Sequence, residues 1–251
     1  MSQDFEGIGD IFGDESVLEP KALEYYCVEH ERPEGKGKII LRMVKKHALW
    51  GDHLWNGGRW LANHLEANPH LIKDKSVIEL GAGAGLPSLI ASKLDARIVS
   101  CTDYPDRELI DNLVHNFQLN CQEAVEEGRT HVTGYLWGDD ISGLEKAANG
   151  HFDVLFLCDL LFNHSEHTKL LKSSLSLISP SSTAFCVFTH YRPWLAEKDL
   201  EFLFREEWKE AGWVWEKIAE ERWELMFEAD RGDAEVRRTV HAYQLNRIKT
   251  E

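Results

Sequence analysis

Positive charge is what this sequence most clearly lacks. Its 251 residues contain 28 lysines and arginines against 43 aspartates and glutamates, which gives a formal net charge of −15 at pH 7. Proteins that bind nucleic acid or anionic membranes depend on positive surface charge. The composition therefore argues against both as partners, and it favours a basic protein or peptide.

Metal-type cysteine spacing is also missing. The five cysteines are scattered without a C-x-x-C pair, so they predict buried thiols in a reducing compartment rather than a zinc site or a disulfide framework. His164 and His167 lie three residues apart, but no third ligand is clustered with them. We therefore expect no metal centre.

Long apolar runs and a secretory leader are absent as well. No stretch approaches the roughly 18 apolar residues that a membrane span needs, and the N-terminus is acidic. These absences predict a soluble cytoplasmic protein with no membrane contact, and they leave nuclear access open. A hydrophobic content of 43% supports a sizeable core.

The composition changes near residue 35. Residues 1–35 are acidic and interrupted by glycine and proline, although they carry several aromatic side chains. They predict either a flexible arm with a few anchoring side chains or an arm that closes over an active site. Residues 36–251 show no second composition shift and no internal repeat, and we expect them to form one domain.

Strand and helix patterns alternate through that domain. Five apolar strands alternate with helices, and two closing strands with alternating character predict antiparallel strands at a sheet edge. The pattern indicates a doubly wound α/β fold. The later predicted elements are strands at 97–102, 132–136, 152–158, 183–190, 213–218 and 239–245, a long helix at 195–211, and an acidic excursion at 223–233.

The most informative stretch runs from Ser76 to Ser88, and it predicts a buried strand, a glycine-rich turn and a helix. Gly81 and Gly83 let backbone N–H groups approach a ligand closely. The third glycine of a dinucleotide fingerprint would fall on Leu86, which weakens an NAD-binding interpretation. Glu79 suits a cationic ligand better than a pyrophosphate.

Two aspartates follow predicted strands at the edge where ligands bind in open α/β sheets. Asp103 lies 22 residues after Gly81, close to the offset of a ribose-binding carboxylate; alternatively, it caps the helix that starts near Pro105. Asp159 follows the strand at 152–158, and it either faces a ligand or caps the next helix.

Two tryptophans are candidates for cofactor contact. Trp137 lies at a strand exit, where an indole can stack on an adenine ring. Trp55 precedes a predicted helix among glycines and can pack on the same ligand. The alternative for both is an ordinary core or surface aromatic role.

These motifs together resemble the seven-strand, S-adenosylmethionine-dependent protein lysine methyltransferases that carry a D-x-x-F/Y motif. The resemblance implies a class I, Rossmann-like sheet with helices on both faces and a short N-terminal extension. It is carried by five groups of residues: Leu54 to Arg59, Glu79 to Gly85, Asp103, Leu136 to Gly138, and Asp159 to Phe162.

The resemblance also implies residue roles. Trp55 and Trp137 would flank the cofactor, with Glu79 facing its positive charge, and Asp103 would bind its ribose. The turn formed by Gly81, Ala82 and Gly83 would hold its methionine part. Cys158 would contact it through the backbone, although that position is more often a small residue such as alanine. Asp159 and Phe162 would lie close to the incoming amine.

The chain is similar to the fungal, nicotinamide N-methyltransferase-like branch of that family. Members of this branch methylate the N-terminal glycine and adjacent lysine of translation elongation factor 1-alpha, so the resemblance implies that substrate and a monomeric enzyme. The alternative is a small-molecule methyltransferase acting on nicotinamide or a similar amine. An oxidoreductase and a non-catalytic binding module are less consistent with the motifs.

Overall fold

The structure is a computed structural model, and it describes residues 24–33, 35–45, 51 and 53–248. The strands are β1 (Tyr25–Glu31), β2 (Lys38–Val44), β3 (Ser76–Leu80), β4 (Ile98–Asp103), β5 (Thr130–Gly134), β6 (Phe152–Cys158), β7 (Ile178–Thr189), β8 (Trp213–Arg222) and β9 (Thr239–Arg247). The α-helices are α1 (Asn56–Ala67), α2 (Leu86–Lys93), α3 (Arg107–Asn120), α4 (Gln122–Glu126), α5 (Ser142–Ala148), α6 (His167–Leu177), α7 (Ala196–Glu201), α8 (Glu206–Glu210) and α9 (Ala234–Arg238).

Seven strands form one mixed sheet in the order β5-β4-β3-β6-β7-β9-β8. The pairs from β5 to β7 are parallel, whereas β9 is antiparallel to both of its neighbours. The predicted α/β fold with two closing antiparallel strands is confirmed. The chain moves outward from β3 through β4 to β5 and then returns to place β6 on the other side of β3. This reversal opens a crevice at the carboxyl ends of the central strands.

Helices cover both faces of the sheet, and each face has its own apolar core. One core joins α1, α2 and α3 to the sheet, and the other joins α5, α6 and the segment from α7 to α8. All five residues of β3 are buried, as expected for a central parallel strand. Among the described residues, no helix is both long and apolar enough to cross a bilayer.

β1 and β2 form a separate antiparallel hairpin that docks on α3. Asn116 accepts the N–H of Arg42 at 2.8 Å and donates to its carbonyl at 3.0 Å, and Asn120 bonds Ile40 in the same manner. These side chains, one helical turn apart, satisfy the free edge of β2. The first 23 residues of the predicted arm lie outside the described residues, while 25–31 form β1.

Several predicted elements have other bounds in the structure. The strand predicted at 183–190 begins at Ile178, and the strand predicted at 213–218 continues to Arg222. The long helix expected at 195–211 is broken into α7 and α8, because Phe202 and Leu203 turn into the core and the Trp208 indole donates to the Phe202 carbonyl at 2.9 Å. β5 begins at Thr130 and ends at Gly134, so it lies two residues before the strand predicted at 132–136. Trp137 therefore lies in the loop beyond the strand rather than directly at its exit.

Candidate active site

A cavity of about 610 Å³ opens at the carboxyl edge of the central strands. All ten residues predicted to form the site line it, although they come from five separate parts of the chain. They are Trp55, Glu79, Gly81, Ala82, Gly83, Asp103, Trp137, Cys158, Asp159 and Phe162. The geometry thus brings the whole predicted set into one space, while the role of each residue stays a prediction.

The turn after β3 has the conformation that its glycines permit. Gly81 and Gly83 have φ of 62° and 56°, in the left-handed region that favours glycine. A Cβ on Gly81 would also lie 2.6 Å from the Leu160 side chain and 3.3 Å from Trp137, whereas one on Gly83 would meet nothing within 4 Å. The backbone at Gly83 therefore borders open space where a ligand can approach.

Glu79 is buried at the end of β3, and its carboxylate joins β3 to α2. One oxygen accepts the backbone N–H of Ser88 at 3.1 Å and its hydroxyl at 2.5 Å. Burial raises the pKa of Glu79 to about 8, although the Ser88 hydrogen bonds lower it. A cation placed in the cavity would favour the charged form of this group.

Asp103 ends β4 and closes the glycine turn. One carboxylate oxygen accepts the Gly83 N–H at 2.6 Å, and the other accepts the Tyr104 N–H at 2.6 Å. Asp106, not Asp103, caps α3, because its side chain accepts from Glu108 and Leu109. The interpretation of Asp103 as a helix cap is therefore wrong, and the residue lies beside the cavity.

Trp55 belongs to an aromatic group that also contains His53, Tyr191 and Phe227. Its ring centroid lies 4.8 Å from Tyr191 and 5.8 Å from Phe227, and His53 lies 4.9 Å from Phe227. Neither Tyr191 nor Phe227 was selected from the sequence, because each follows a segment with no motif of its own. The group joins the cavity wall to the segment that follows β8.

Asp159 is buried, and its backbone has a positive φ of 53°. Its carboxylate accepts the Gly57 N–H at 2.7 Å and the Thr189 N–H at 3.1 Å. It caps α1, which is 102 residues away in the chain, and not the helix that follows it. Burial raises the pKa of Asp159 to about 7, against the lowering effect of these N–H donors.

The close approach of the Asp159 carboxylate explains why residue 57 is a glycine. A Cβ on Gly57 would lie 2.4 Å from an Asp159 carboxylate oxygen and 2.7 Å from the carbonyl of Val187. The next residue differs, since a Cβ on Gly58 would find its nearest neighbour, Pro87, at 3.8 Å. Of the two adjacent glycines, the first is therefore required by the approach of the carboxylate.

The loop that carries Phe162 is held by the segment after β7. The Arg192 guanidinium donates to the Phe162 carbonyl. Asp199 is buried in α7. Its two carboxylate oxygens accept hydrogen bonds from the rings of His164 and His190, each at 2.6 Å. The sequence predicts only a long helix here and no contact with this loop, because the partners of Asp199 lie in two other loops.

His164 and His167 do not converge on a common centre. His164 bonds Asp199, while His167 bonds the Leu161 carbonyl at 2.9 Å. Across the described part of the chain, no three metal-ligating side chains come together in a cluster. The two histidines thus serve to shape the loop around Phe162.

Comparison with known proteins shows what this site resembles. A model of the lysine methyltransferase family matches residues 38–207. The chain is 43% identical to a protein N-terminal and lysine N-methyltransferase of Schizosaccharomyces pombe, with 96% of each chain covered, and 38% identical to one of Eremothecium gossypii, with 98% of each covered. A putative RNA methyltransferase of Pyrococcus horikoshii shares the fold with a TM-score of 0.57 at 21% identity, covering 83% of this chain and 93% of its own.

Proposed function

The chain belongs to the lysine methyltransferase family, and from this premise we propose that it methylates the N-terminal glycine and adjacent lysine of translation elongation factor 1-alpha. The enzyme class is a protein N-methyltransferase dependent on S-adenosylmethionine. The curated relatives act on proteins by name, which disfavours the alternative of a nicotinamide-type small-molecule enzyme. We further propose a monomeric, cytoplasmic protein.

The residues of the cavity fit S-adenosylmethionine. The open backbone beside Gly83 leaves room for a ligand, and the Asp103 carboxylate lies against the same turn. A carboxylate can accept both hydroxyl protons of a ribose. Trp55 and Trp137 line the same cavity and present aromatic surface. These features support Gly81 to Gly83 as the methionine-binding turn and Asp103 as the ribose ligand.

Cys158 fits a backbone role better than a thiol role. It lines the cavity next to Asp159, and burial raises the pKa of its thiol well above the usual value. A neutral thiol is a weak nucleophile and a weak hydrogen-bond partner. We therefore assign the cofactor contact at this position to the peptide group.

S-adenosylmethionine, when bound, supplies a methyl group activated by a positively charged sulfur. The chain then has to orient a neutral amine towards that group, and alignment alone can contribute most of the rate. An α-amino group has a pKa of about 8 against about 10.4 for lysine. The N-terminal amine is therefore neutral more often at physiological pH, which favours it as an acceptor.

Asp159 can serve the acceptor while it holds α1. A carboxylate has about four acceptor positions. The N–H groups of Gly57 and Thr189 occupy two of them, and the Tyr191 hydroxyl and the Gly58 N–H are further donors that lower the pKa of Asp159. A carboxylate at this position can accept an amine N–H in exchange for one of these donors and stabilise the positive charge that develops during transfer. The Phe162 ring beside it offers an apolar surface to a methylated ammonium.

The observation that carries this proposal is the single cavity that unites the glycine turn and Asp103 with Asp159 and Phe162. The test is intact-mass and N-terminal peptide analysis of elongation factor 1-alpha from cells with and without this protein. We expect methyl groups on the N-terminal glycine and adjacent lysine only when the protein is present. An unchanged methylation pattern would contradict the substrate assignment.

A further inference from the structure

The segment between β8 and α9, residues 223–233, is called the rim here. It contacts residues next to Asp159 in the cavity wall, and the part of the cavity around Asp159 and Phe162 is called the acceptor end. The Asn56 side-chain amide donates to the Glu224 carbonyl at 2.8 Å, beside the Gly57 N–H that Asp159 accepts. The Phe227 ring packs on His53 and Trp55, and its carbonyl accepts a hydrogen bond of 2.6 Å from Arg237. The rim is therefore held in place against the site.

The side chains that the rim exposes are mostly acidic. It contains four acidic residues and one arginine. Glu224, Glu228 and Asp230 are all exposed, and none of them forms an ion pair with another described residue. By contrast, Glu220, on the strand that leads into the rim, is paired with Lys217 at 2.6 Å. Within the described part of the chain, the negative charge of these three side chains, next to the cavity, is thus not balanced by ion pairs.

An exposed tryptophan adjoins this charge. Trp194 is 63% exposed, more than any other large apolar side chain among the described residues. Its neighbour Pro193 touches the rim, since a Cβ on Gly232 would lie 3.0 Å from the Pro193 ring. An aromatic side chain surrounded by polar groups is typical of a protein-binding surface.

We propose that the rim and Trp194 form the docking surface for the acceptor polypeptide, binding the basic residues that follow its modified terminus. This inference rests on the proposed function, because it places the substrate chain at the end of the cavity where the amine enters. Lysine side chains would lie between the free carboxylates, and Trp194 would cover their methylene stems and interact with the cation. Charge complementarity also accelerates encounter with a basic partner.

The test compares two charge-matched double variants. Glu228→Lys with Asp230→Lys alters the rim, while Glu123→Lys with Glu210→Lys alters equally exposed acidic residues of α4 and α8 that have no ion-pair partner among the described residues. The probe is a fluorescent peptide with an N-terminal glycine, a following lysine and further downstream lysines. Its binding is measured by anisotropy with S-adenosylhomocysteine present.

We expect the rim variant to bind this peptide about tenfold more weakly at low salt and about twofold more weakly at high salt, with the control within about twofold of wild type. In turnover assays the KM for the peptide should rise while kcat stays nearly constant. Trp194→Ala should weaken binding several-fold, whereas Phe204→Ala, at a side chain 58% exposed in wild type, should not. Equal effects of rim and control variants, or none from either, would overturn the proposal.

The outcome is separable from that of the proposed function. If the wild-type protein binds the peptide through the rim but transfers no methyl group to it, the substrate assignment fails and the docking surface stands. If transfer occurs with equal KM in all variants, the function stands and the docking surface fails. Gel filtration of the same variants tests whether a second copy of the chain binds to the rim instead. A change of oligomeric state in the rim variant alone would indicate this, and it would also overturn the proposal.

Discussion

The two ends of the cavity are built in different ways. At the cofactor end, the contacts join residues close in sequence: Glu79 and Ser88 are nine residues apart, and Gly83 and Asp103 are 20 apart. At the acceptor end, Asp159 bonds Gly57 across 102 residues, and Asn56 bonds Glu224 across 168. These cofactor-end contacts thus lie within one local unit of strand, turn, helix and strand, from β3 to β4, while the acceptor end exists only after the sheet has assembled.

The two ends nevertheless share one device. Each places a buried carboxylate on the N-terminus of a helix, with Glu79 on α2 and Asp159 on α1. A helix N-terminus carries unsatisfied N–H groups and a partial positive charge, so it stabilises an anion there. Burial opposes this effect in both cases and raises both pKa values.

Removing Asp159 should have the largest effect. Asp159→Ala removes the group that we propose to contact the amine, and we expect methyl transfer to fall by about 100-fold or more. The affinity for S-adenosylmethionine, measured by calorimetry, should change by less than about threefold, because the glycine turn and Asp103 are untouched. The lost cap of α1 should lower the free energy of unfolding by about 1–2 kcal/mol.

Asp159→Asn is the matched variant, since it keeps the size of the side chain and one acceptor oxygen. It should recover part of the lost stability in urea unfolding but little of the activity. Activity near the wild-type level in either variant would show that Asp159 is a structural cap only, and the acceptor end would then need another amine ligand.

Asp103→Ala tests the cofactor end. Loss of hydrogen bonds to a charged group costs about 1.5–3 kcal/mol, so the Kd for S-adenosylmethionine should rise by about 10- to 100-fold. Stability without cofactor should change less than in Asp159→Ala, because the turn is a local unit. Asp111→Ala, at a solvent-exposed aspartate of α3, is the control, and unchanged binding in Asp103→Ala would refute the ribose assignment.

The adjacent glycines of α1 allow a finer comparison. In Gly57→Ala the new methyl group would overlap the Asp159 carboxylate, and we expect a loss of about 1–3 kcal/mol in the free energy of unfolding. In Gly58→Ala the space is open, and the better helix propensity of alanine should give no loss or a gain of about 0.5–1 kcal/mol. Thermal unfolding of the two proteins side by side measures the difference; equal destabilisation would mean that α1 is not fixed by Asp159.

The pH dependence of stability should distinguish the two carboxyl groups. Glu79 has a pKa of about 8 in the folded protein against an ordinary 4.5, so the folded state holds a proton that the unfolded state has released. Its contribution to the free energy of unfolding therefore decreases as pH rises from about 4.5 to 8, by at most about 1.4 kcal/mol per pH unit. Above that range the contribution is constant.

Glu79→Gln should remove this slope, and urea unfolding at several pH values measures it. Asp159→Asn should remove a slope of the same sign over a lower range, from about 3.8 to 7. Both variants change a buried group and will alter the free energy of unfolding at every pH. The quantity to compare with wild type is therefore the slope of that free energy against pH. A wild-type slope that survives in both variants would assign it to other groups.

Much of the cofactor end was predictable from the sequence, and its physical basis is short range. The apolar run of β3, the glycines at 81 and 83 and the acidic residue after β4 each report a local backbone requirement, and the structure brings these residues together at one cavity. The helix cap offered for Asp103 was wrong because Asp106, three residues later, occupies that position. Both aspartates match the sequence pattern of a helix cap, and only one of them caps α3.

The acceptor end was predicted only as a set of residues. The place of Asp159 after a buried strand and the family resemblance both point to it, and Phe162 follows from the resemblance alone, but neither identifies the partners that hold these two residues. Asp199 lies within the helix predicted at 195–211, for which the sequence indicates no role in the site, although it is buried between His164 and His190. The rim around Phe227 lies in the acidic excursion predicted at 223–233. No periodicity reports such contacts, because their members belong to different elements.

The sequence by itself determined the alternation of strands and helices and the glycine turn, since these follow from local propensity and burial pattern, and its resemblance to a known family supplied the rest of the ten predicted site residues, which line the cavity. Only the tertiary structure decided that Asp159 caps α1 through Gly57, that Arg192 and Asp199 hold the loop of Phe162, and that an acidic rim lies beside the cavity. The reason is physical. A hydrogen bond between residues 30 to 168 positions apart depends on where the whole sheet places them, and neither residue carries a local sign of its partner.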